Sequence, residues 1–402
     1  MSMTFSRFTR YLRQGELTTA LFATLSFGAV GGIFGASLNN YLADVHNLDA
    51  SARGWLEFPR ELPGFLIMFI AGAMLMVLRE TQMAALAMLF AFVGSVGFAY
   101  FGAPTAMMVL FMMIYSIGDH VIFAVEGPIG LKLAKAGGEG RRLGQFGGAR
   151  NLGTIIGVAA VFLLAKFLGD RYDLIFGMAA LWAIAAGILY FKLRVGHEDV
   201  RSNRIVIKKR YGLFYAISAV FGIRKQIFLV FGSWVLVSLH DVPVSTIALL
   251  YFIAATIGVF IRPLLGDVID WLGERTVLAV DELLLLVVCL VYAFASDLLP
   301  APLDLYLLYT AYVADNILFA LRVARTTYLQ KIAEDPADIT PTISLGITID
   351  HAVAMSLPIF SGYVWEVWGF RWVFLIAGAI ALAGFFLCLR IRIPIRQVAV
   401  GL

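Results

Sequence analysis

Three aspartates of this sequence have a histidine as a direct neighbour, each within an otherwise apolar stretch. The pairs are Asp119-His120, His240-Asp241 and Asp350-His351. Imidazole titrates near neutral pH, and apolar surroundings can bring a carboxylate toward the same range, so such pairs suit proton coupling. The same groups are ligands for iron, manganese or zinc, but neighbours on a helix point about 100° apart and one pair cannot chelate alone. Proton coupling, a metal path formed by several helices and a structural role in helix contacts are therefore three alternatives.

Long apolar stretches surround these pairs and require a membrane. Of the 402 residues, 61% are hydrophobic and 14% are charged, and the mean hydropathy is +0.87. Soluble chains are nearer half apolar and a quarter charged, so the excess must face lipid. About twenty apolar residues cross a bilayer as a helix, because every backbone polar group is then paired within the segment. Twelve spans are predicted, at 17–43, 56–78, 81–101, 104–134, 144–168, 171–193, 226–245, 247–268, 276–296, 302–332, 340–366 and 370–391.

Lysine and arginine residues are distributed unevenly between the two sides of these spans. Of the 31, 22 fall on the side that carries both termini and four fall on the other side. The positive-inside rule therefore places both termini and the connection at 194–225 in the cytoplasm, and we expect a bacterial inner-membrane protein. Within this connection, 205–209 is basic, whereas 211–222 is apolar but too short to cross a bilayer. The apolar segment is either a helix on the membrane surface or the start of the seventh span.

The two halves of the sequence match at a shift of about 200 residues. Three matches occur in order: Ser37-Leu38-Asn39-Asn40 with Ser238-Leu239-His240-Asp241, Asp119 with Asp315, and Gly169-Asp170-Arg171 with Gly369-Phe370-Arg371. Such an ordered series is hard to obtain by chance. We therefore predict an internal repeat, with six-helix domains at 1–193 and 226–402 and a basic linker at 194–225.

The repeat places opposite charges at equivalent positions inside the spans. Glu126 corresponds to Arg322, and Arg150 corresponds to Asp350. A charge within the membrane is costly and is a functional candidate by default. From their similar depths we infer one buried pair in each half, Glu126–Arg150 and Arg322–Asp350. Static pairs that only hold each half together are the alternative.

The second span opens with a polar segment, Glu57 to Gly64, which contains two prolines. Prolines at the start of a helix leave backbone groups that glutamate and arginine side chains can cap. The segment is therefore either a helix-entry structure or part of an external gate.

The stretch from Gly266 to Arg275 resembles the cytoplasmic loop signature of the major facilitator superfamily. The signature residues are Gly266, Asp270, Gly273 and Arg275, and they fall between the eighth and ninth spans as in that family. The resemblance covers nearly the whole chain. It implies an all-α membrane protein with twelve transmembrane helices in two pseudo-symmetric six-helix bundles, and a gating role for this loop.

The resemblance also implies a function, namely secondary active transport of a small polar or charged solute by alternating access. Sugar/proton symporters of the family similarly pair an acid on the fourth helix with an arginine on the fifth, so proton coupling is expected. The family's substrate cavity is lined by the first, fourth, seventh and tenth helices. The residues expected at the substrate are Asn39, Asn40, Asp119, Glu126, Arg150, His240, Asp241, Asp315, Arg322 and Asp350. The proton-coupling candidates are Asp119, His240, Asp241, Asp350 and His351.

Other classes of function are less consistent with the sequence. No phosphate loop, nucleophile elbow or zinc-protease motif is present, which argues against an enzyme. The fifth span reads Gly153-Thr154-Ile155-Ile156-Gly157 and lacks the proline of the family's antiporter signature. Efflux of drugs or divalent metal ions and a non-transporting sensor or channel are the alternatives. We expect a monomer that binds a small solute or ion and the lipid bilayer, with no cofactor, no bound metal and no nucleic acid.

Overall fold

The computed structural model describes residues 2–135, 138–194 and 207–393. All regular elements in this part of the chain are helical. As predicted, twelve helices are long and apolar enough to cross a membrane. They are α1 (Gly15–Asp44), α2 (Ala50–Leu75), α3 (Glu80–Phe101), α4 (Thr105–Lys132), α5 (Glu139–Leu168), α6 (Tyr172–Lys192), α7 (Lys209–His240), α8 (244–272), α9 (274–298), α10 (Leu303–Ile332), α11 (Pro341–Trp368) and α12 (Phe370–Cys388).

Helices α8 and α9 are separated by a single residue. The element Val244–Leu298 is helical throughout except at Gly273, whose φ is 78° and ψ is 155°. Glycine adopts such a positive φ without a steric penalty, so it can turn the chain where other residues would be strained. The predicted loop between the eighth and ninth spans is therefore a tight turn at Gly273.

Several spans depart from regular α-helix. Helix α2 consists of three segments, Ala50–Trp55, Glu57–Phe65 and Ile67–Leu75. A π-helical turn occupies Phe228–Gly232 in α7, and a 3₁₀ turn occupies Phe319–Arg322 in α10. Such turns are frequent at functional sites because they redirect side chains along a helix.

The seventh span starts earlier than predicted. Helix α7 begins at Lys209 rather than at 226, so the apolar segment 211–222 is the start of this span and not a separate surface helix. Phe214, Ile217 and Phe221 are buried there, and this part of α7 packs against α11 and α12. Residues 195–206 of the predicted linker lie outside the described residues.

The chain divides into two compact units. Unit 1 comprises Met1–Arg201 and Trp234–Val259, and unit 2 comprises Ser202–Ser233 and Phe260–Leu402. Helix α7 therefore contributes its first part to unit 2 and its last turns to unit 1. The domain boundaries that the repeat predicts, 193 and 226, stay a prediction.

In unit 1, α1 packs closely against α5 and α6. The contact with α5 is made by glycines: a Cβ on Gly32 would lie 2.6 Å from the carbonyl oxygen of Thr154, and a Cβ on Gly153 would overlap the carbonyl of Leu25. The Thr154 hydroxyl donates to the carbonyl of Gly28 at 3.2 Å. Small residues thus let the two backbones approach, as is typical of membrane helix pairs.

Candidate functional site

A cluster of buried charges lies at the start of α2, in unit 1. Glu57 is fully buried, and its carboxylate accepts hydrogen bonds from Arg53 Nη1 at 2.6 Å and from Arg60 Nη2 at 2.5 Å. The Nε atom of Arg60 also donates to the other carboxylate oxygen, Glu57 Oε1, at 2.9 Å, which makes the pair bidentate. Arg53 Nε donates to Asn39 Oδ1 on α1 at 2.7 Å. We call Arg53, Glu57, Arg60 and Glu61 the α2 cluster.

Helix α4 extends the α2 cluster with a histidine. Arg60 Nη2 lies 2.5 Å from Glu61, whose other oxygen is 3.9 Å from His120 Nε2. On the far side of the ring, His120 Nδ1 is 2.8 Å from the carbonyl oxygen of Ser116, which suits a tautomer with the proton on Nδ1. Asp119 acts electrostatically on Arg60. The segment 57–64 therefore builds a connected ionic network, which goes beyond capping a helix start.

The predicted pair Glu126–Arg150 is confirmed in unit 1. The two side chains form an ion pair, with Glu126 almost completely buried and the Arg150 side chain 31% exposed. The guanidinium lies 4.7 Å from the ring centroid of Phe123 and 5.4 Å from that of Phe27. Two aromatic faces thus hold the arginine against the carboxylate of α4.

Unit 2 contains a second set of buried charges, centred on α7. Arg224 is 3% exposed, and its Nη1 lies 2.7 Å from both carboxylate oxygens of Asp281 on α9. Its Nη2 lies 3.5 Å from Asp315 on α10. One arginine therefore links three helices of unit 2 through two carboxylates.

The partner of Asp350 differs from the prediction. Its carboxylate lies 2.7 Å from Lys225 Nζ on α7, whereas the sequence argument named Arg322 on α10. The Arg322 side chain is exposed and lies over the ring of Phe319, 5.0 Å from its centroid. The 3₁₀ turn at Phe319–Arg322 changes the helical register there, so spacing along an ideal helix does not give its direction.

Two more charged side chains of unit 2, Glu282 and Arg325, complete this set. Glu282 is 6% exposed, and its Oε2 atom has no hydrogen-bond partner among the described residues. The Arg325 guanidinium lies 3.8 Å from the ring centroid of Phe221, and its Nε atom is likewise without a partner in the described chain. We call Arg224, Lys225, Asp281, Glu282, Asp315, Arg322, Arg325 and Asp350 the unit 2 charge network.

The remaining predicted site residues differ in burial and lie on different helices of the two units. Asn40 is buried and donates to the carbonyl oxygen of Val242 at 2.8 Å, within unit 1. His240 ends α7 half-buried, and Asp241 follows it with an exposed side chain and a positive φ of 49°. His351 is half-buried on α11 of unit 2. The lining of a central cavity by these residues stays a prediction.

In the predicted gating loop, the buried acid is Glu274 and not the signature residue Asp270. Asp270 and Arg275 are exposed, whereas Glu274 is fully buried, with its carboxylate 2.6 Å from Lys331 Nζ on α10. The turn at Gly273 places Glu274 at the start of α9, where a carboxylate also suits the positive end of the helix dipole. The electrostatic anchor of this loop is thus Glu274, which the signature does not single out.

Sequence reasoning missed several of these charged residues. The sequence predicts that Arg224 and Lys225 lie in a cytoplasmic connection, because two adjacent basic residues usually mark the end of a span. Asp281 and Glu282 interrupt an apolar stretch of the predicted ninth span, and this signal could have identified them. For Arg53 and Glu57 the only signal is their spacing of four residues, which places them on one helix face.

Comparison with known proteins settles the family. The sequence profile of the Major Facilitator Superfamily matches residues 20–337. The chain belongs to the major facilitator superfamily. This multi-pass membrane protein thus has the fold that the loop signature implied. A comparison with curated protein sequences found no match.

Solved structures of major facilitator transporters share the fold. A mutant of the nucleoside transporter NupG superposes with a TM-score of 0.77 at 15% identity, covering 93% of this chain and 98% of that one. A D-xylose–proton symporter gives 0.70 at 17% identity, with 94% and 97% covered. A POT family transporter in complex with 5-aminolevulinic acid gives 0.76 at 11% identity, with 93% and 95% covered.

Proposed function

We propose that this superfamily member is a secondary active transporter that moves a small polar or charged solute by alternating access and couples the movement to protons. The observation that carries the proposal is the unit 2 charge network, eight ionisable side chains on helices α7, α9, α10 and α11. Charges at this depth destabilise a helical bundle unless they are paired, so an inert scaffold would be expected to avoid them. Their concentration in unit 2 supports a site for solute and proton.

Unit 1 supports the same proposal with a second ionisable set. The Glu126–Arg150 pair joins α4 to α5, in the arrangement expected from sugar/proton symporters. Asp119 and His120 stand next to the α2 cluster, so a carboxylate and an imidazole are available close to buried arginines. We propose Asp119, His240, Asp241, Asp350 and His351 as proton-coupling residues and the predicted cavity set as solute contacts.

Transport into proteoliposomes tests this function directly. The purified full-length protein is reconstituted, and uptake of labelled D-xylose, uridine and gluconate is measured with and without an imposed pH gradient. We expect saturable uptake of at least one solute that increases with the gradient and exceeds its equilibrium level. Flux that never exceeds equilibrium would indicate a channel, and flux that does not respond to the gradient would contradict proton coupling.

Two aspartate-to-asparagine variants distinguish a role of the unit 2 charge network in transport from a general effect of surface charge. Asp350→Asn removes the partner of Lys225, whereas Asp297→Asn removes the partner of Arg371, a pair whose side chains are 53% and 42% exposed. We expect the first variant to lose gradient-driven uptake and the second to retain it. Equal activity of both variants would contradict a role for the network.

A further inference from the structure

Glu282 and Arg325 of the unit 2 charge network take part in none of the ion pairs described above. Asp281 and Asp315 share Arg224, and Asp350 contacts Lys225. Among the described residues, no basic group lies within ion-pair distance of Glu282 and no carboxylate lies within that distance of Arg325. A buried charge without a partner is costly, so Glu282 needs a compensating group at some stage of the transport cycle. Arg325 is half-buried, and the carboxylate that acts on it most strongly is Asp350, which already contacts Lys225.

Glu282 packs among small and apolar groups of α7, α9 and α12. The carboxyl group packs against the backbone of Gly384 on α12, where an added Cβ would lie 2.8 Å from Glu282 Cδ and 2.9 Å from Val220 Cγ1. Beyond these contacts lie Ile223, Leu285 and Ala381, which border a small void beside Glu282. A methyl group at position 384 would therefore displace the carboxyl group, and glycine leaves space for the acid between α7 and α12.

The charged and titratable groups that face Glu282 come from four helices. Arg224 of α7, Asp281 of α9 and Arg325 of α10 act on it electrostatically. The thiol of Cys388 on α12 and the thiol of Cys289 on α9 are also within its electrostatic reach. Protonated Glu282 needs no counter-ion, whereas ionised Glu282 depends on Arg224 and Arg325.

Arg325 is arranged to bind an oxyanion. Its guanidinium is stacked on Phe221, which occupies the face of the group and leaves the edge with its N–H donors for a ligand. A guanidinium edge matches carboxylate and phosphate oxygens in a bidentate way. The neighbouring Arg322 on α10 also has an exposed side chain, which offers a second guanidinium group close in the chain.

We propose that Arg325 binds the anionic group of the transported solute and that Glu282 carries the proton that accompanies it. The proposal rests on the function proposed above and narrows the solute to an organic anion such as a carboxylate or a phosphate ester. The network contains four basic and four acidic side chains, so it is neutral when all eight are ionised. Protonation of Glu282 forms one O–H bond and leaves a net positive charge, which the anion at Arg325 balances.

Release of the bound anion follows from the same charge balance in the unit 2 charge network. When the O–H bond of Glu282 breaks and the proton leaves, the carboxylate becomes the counter-charge of Arg325 and competes with the bound anion. Proton and anion therefore bind together and leave together, which is symport. No other bond forms or breaks.

Binding of matched solutes tests the anionic class. Thermal unfolding of the purified full-length protein is followed with gluconate against glucose, glycerol 3-phosphate against glycerol, uridine monophosphate against uridine, and inorganic phosphate alone. We expect at least one anion to raise the unfolding temperature, more at pH 6 than at pH 8, and its neutral counterpart to have no effect. Arg325→Gln should abolish the shift, Arg325→Lys should retain part of it, and Arg371→Gln, an exposed arginine, should retain it fully.

Infrared spectroscopy tests the proton on Glu282 without any solute. We expect the C=O band of a protonated carboxyl group in the wild-type protein, its loss in Glu282→Gln, and its retention in the exposed-site control Glu366→Gln. Glu282→Asp should retain a shifted band. Gly384→Ala should shift the band as well, because the added methyl group displaces the carboxyl group.

The possible results distinguish a failure of this proposal from a failure of the proposed transport function. Stabilisation by neutral solutes, with Arg325→Gln unchanged, would leave a transporter of neutral solutes and overturn the anionic class. Failure of every anion, inorganic phosphate included, would also overturn it. A carboxyl band that persists in Glu282→Gln would assign the proton to another residue. Loss of the transporter function itself would appear only as absent uptake in proteoliposomes.

Discussion

Buried glutamates of this protein differ in the number of cations around them. Glu57 has Arg53 and Arg60 within hydrogen-bonding distance, Glu126 has Arg150, and Glu282 has no ion-pair partner in the described chain. A doubly paired carboxylate remains ionised and holds its neighbours in place, whereas an unpaired one can exchange a proton. Among these glutamates, the number of partners therefore distinguishes Glu57 as a structural acid from Glu282 as a candidate proton carrier.

Removal of the Glu57 charge should destabilise unit 1. Glu57→Gln leaves Arg53 and Arg60 without their shared counter-ion in a buried site, which costs about 3–5 kcal/mol. We expect a clear drop in the unfolding temperature of the detergent-solubilised protein. As a control, Asp173→Asn breaks the exposed pair with Arg171, whose side chains are 34% and 57% exposed, and should change stability by less than about 1 kcal/mol. Equal effects of the two variants would show that the α2 cluster contributes no more than a surface pair.

Removing and then exchanging the two charges tests the role of the Glu126–Arg150 pair. Glu126→Gln should lower stability by about 3 kcal/mol and abolish uptake, because Arg150 loses the carboxylate of α4 as its ion-pair partner. The double variant Glu126→Arg with Arg150→Glu should restore folding, measured as a monodisperse peak in size-exclusion chromatography. Restored folding without uptake indicates a solute or proton role, and restored uptake indicates a structural pair. Parent-like behaviour of Glu126→Gln would contradict both roles.

At the scale of the elements, close helix contacts and short irregular turns place the charges. Helix α1 approaches α5 through glycines on both helices, which positions Arg150 against Glu126 of α4. The 3₁₀ turn of α10 redirects Arg322, and the early start of α7 brings Arg224 and Lys225 into the membrane. The helices are thus arranged by packing, and the charge network follows from that arrangement.

The α1–α5 contact predicts a contrast between two glycine-to-alanine changes. In Gly153→Ala the methyl group meets the backbone of α1 at Leu25, so the helices must separate at a cost of about 1–3 kcal/mol. Gly31→Ala places its methyl group in open space, and alanine favours the helix. We expect reduced expression and unfolding temperature only for Gly153→Ala. A parent-like Gly153→Ala protein would contradict the close approach.

The start of α7 predicts a pH-dependent contribution to stability. Hydrogen bonds from Lys208 Nζ and from the Tyr211 hydroxyl, both 2.6 Å long, lower the pKa of Asp338, with Lys208 as the larger cause. A lowered folded-state pKa contributes stability above the unfolded value of about 3.9, and this stability is lost as pH falls through the folded value. The same contact raises the pKa of Lys208, whose contribution is fully present below about pH 10.4.

Unfolding temperatures across pH test this contact. The difference between the wild type and Asp338→Asn should be constant between about pH 5 and 8 and should shrink below about pH 4. Asp267→Asn, at an exposed position, serves as the control and should show no such difference. A difference that grows on acidification would reverse the sign and contradict the assignment.

At the scale of the whole molecule, the basic residues predict the orientation of the twelve spans. Arg224 and Lys225 lie within α7, so they no longer count toward the cytoplasmic side, but the excess on that side remains large. An even number of spans puts both termini on one side. A C-terminal alkaline phosphatase fusion should therefore be inactive and a C-terminal green fluorescent protein fusion should fluoresce. The opposite pattern would reverse the topology.

The number of spans and the family could both be predicted from the amino-acid sequence. Hydrophobic length, the placement of lysine and arginine, and a short loop motif are properties of consecutive residues, and tertiary contacts do not alter them. The pair Glu126–Arg150 could also be predicted, because both residues lie deep in neighbouring spans. The domain boundaries and the cavity lining stay predictions from the same repeat.

Which charged side chains contact each other depends on how the helices pack. Spacing along an ideal helix gives the direction of a side chain, but the 3₁₀ turn before Arg322 alters that direction, and Asp350 contacts Lys225 instead. Arg224 and Lys225 looked like the end of a span because adjacent basic residues normally avoid lipid. In the folded protein, Asp281 and Asp350 compensate their charge, and such compensation depends on contacts between helices distant in sequence. Glu282 and Arg325 lack ion-pair partners in the described chain for the same reason, because helix packing determines which side chains lie within ion-pair distance.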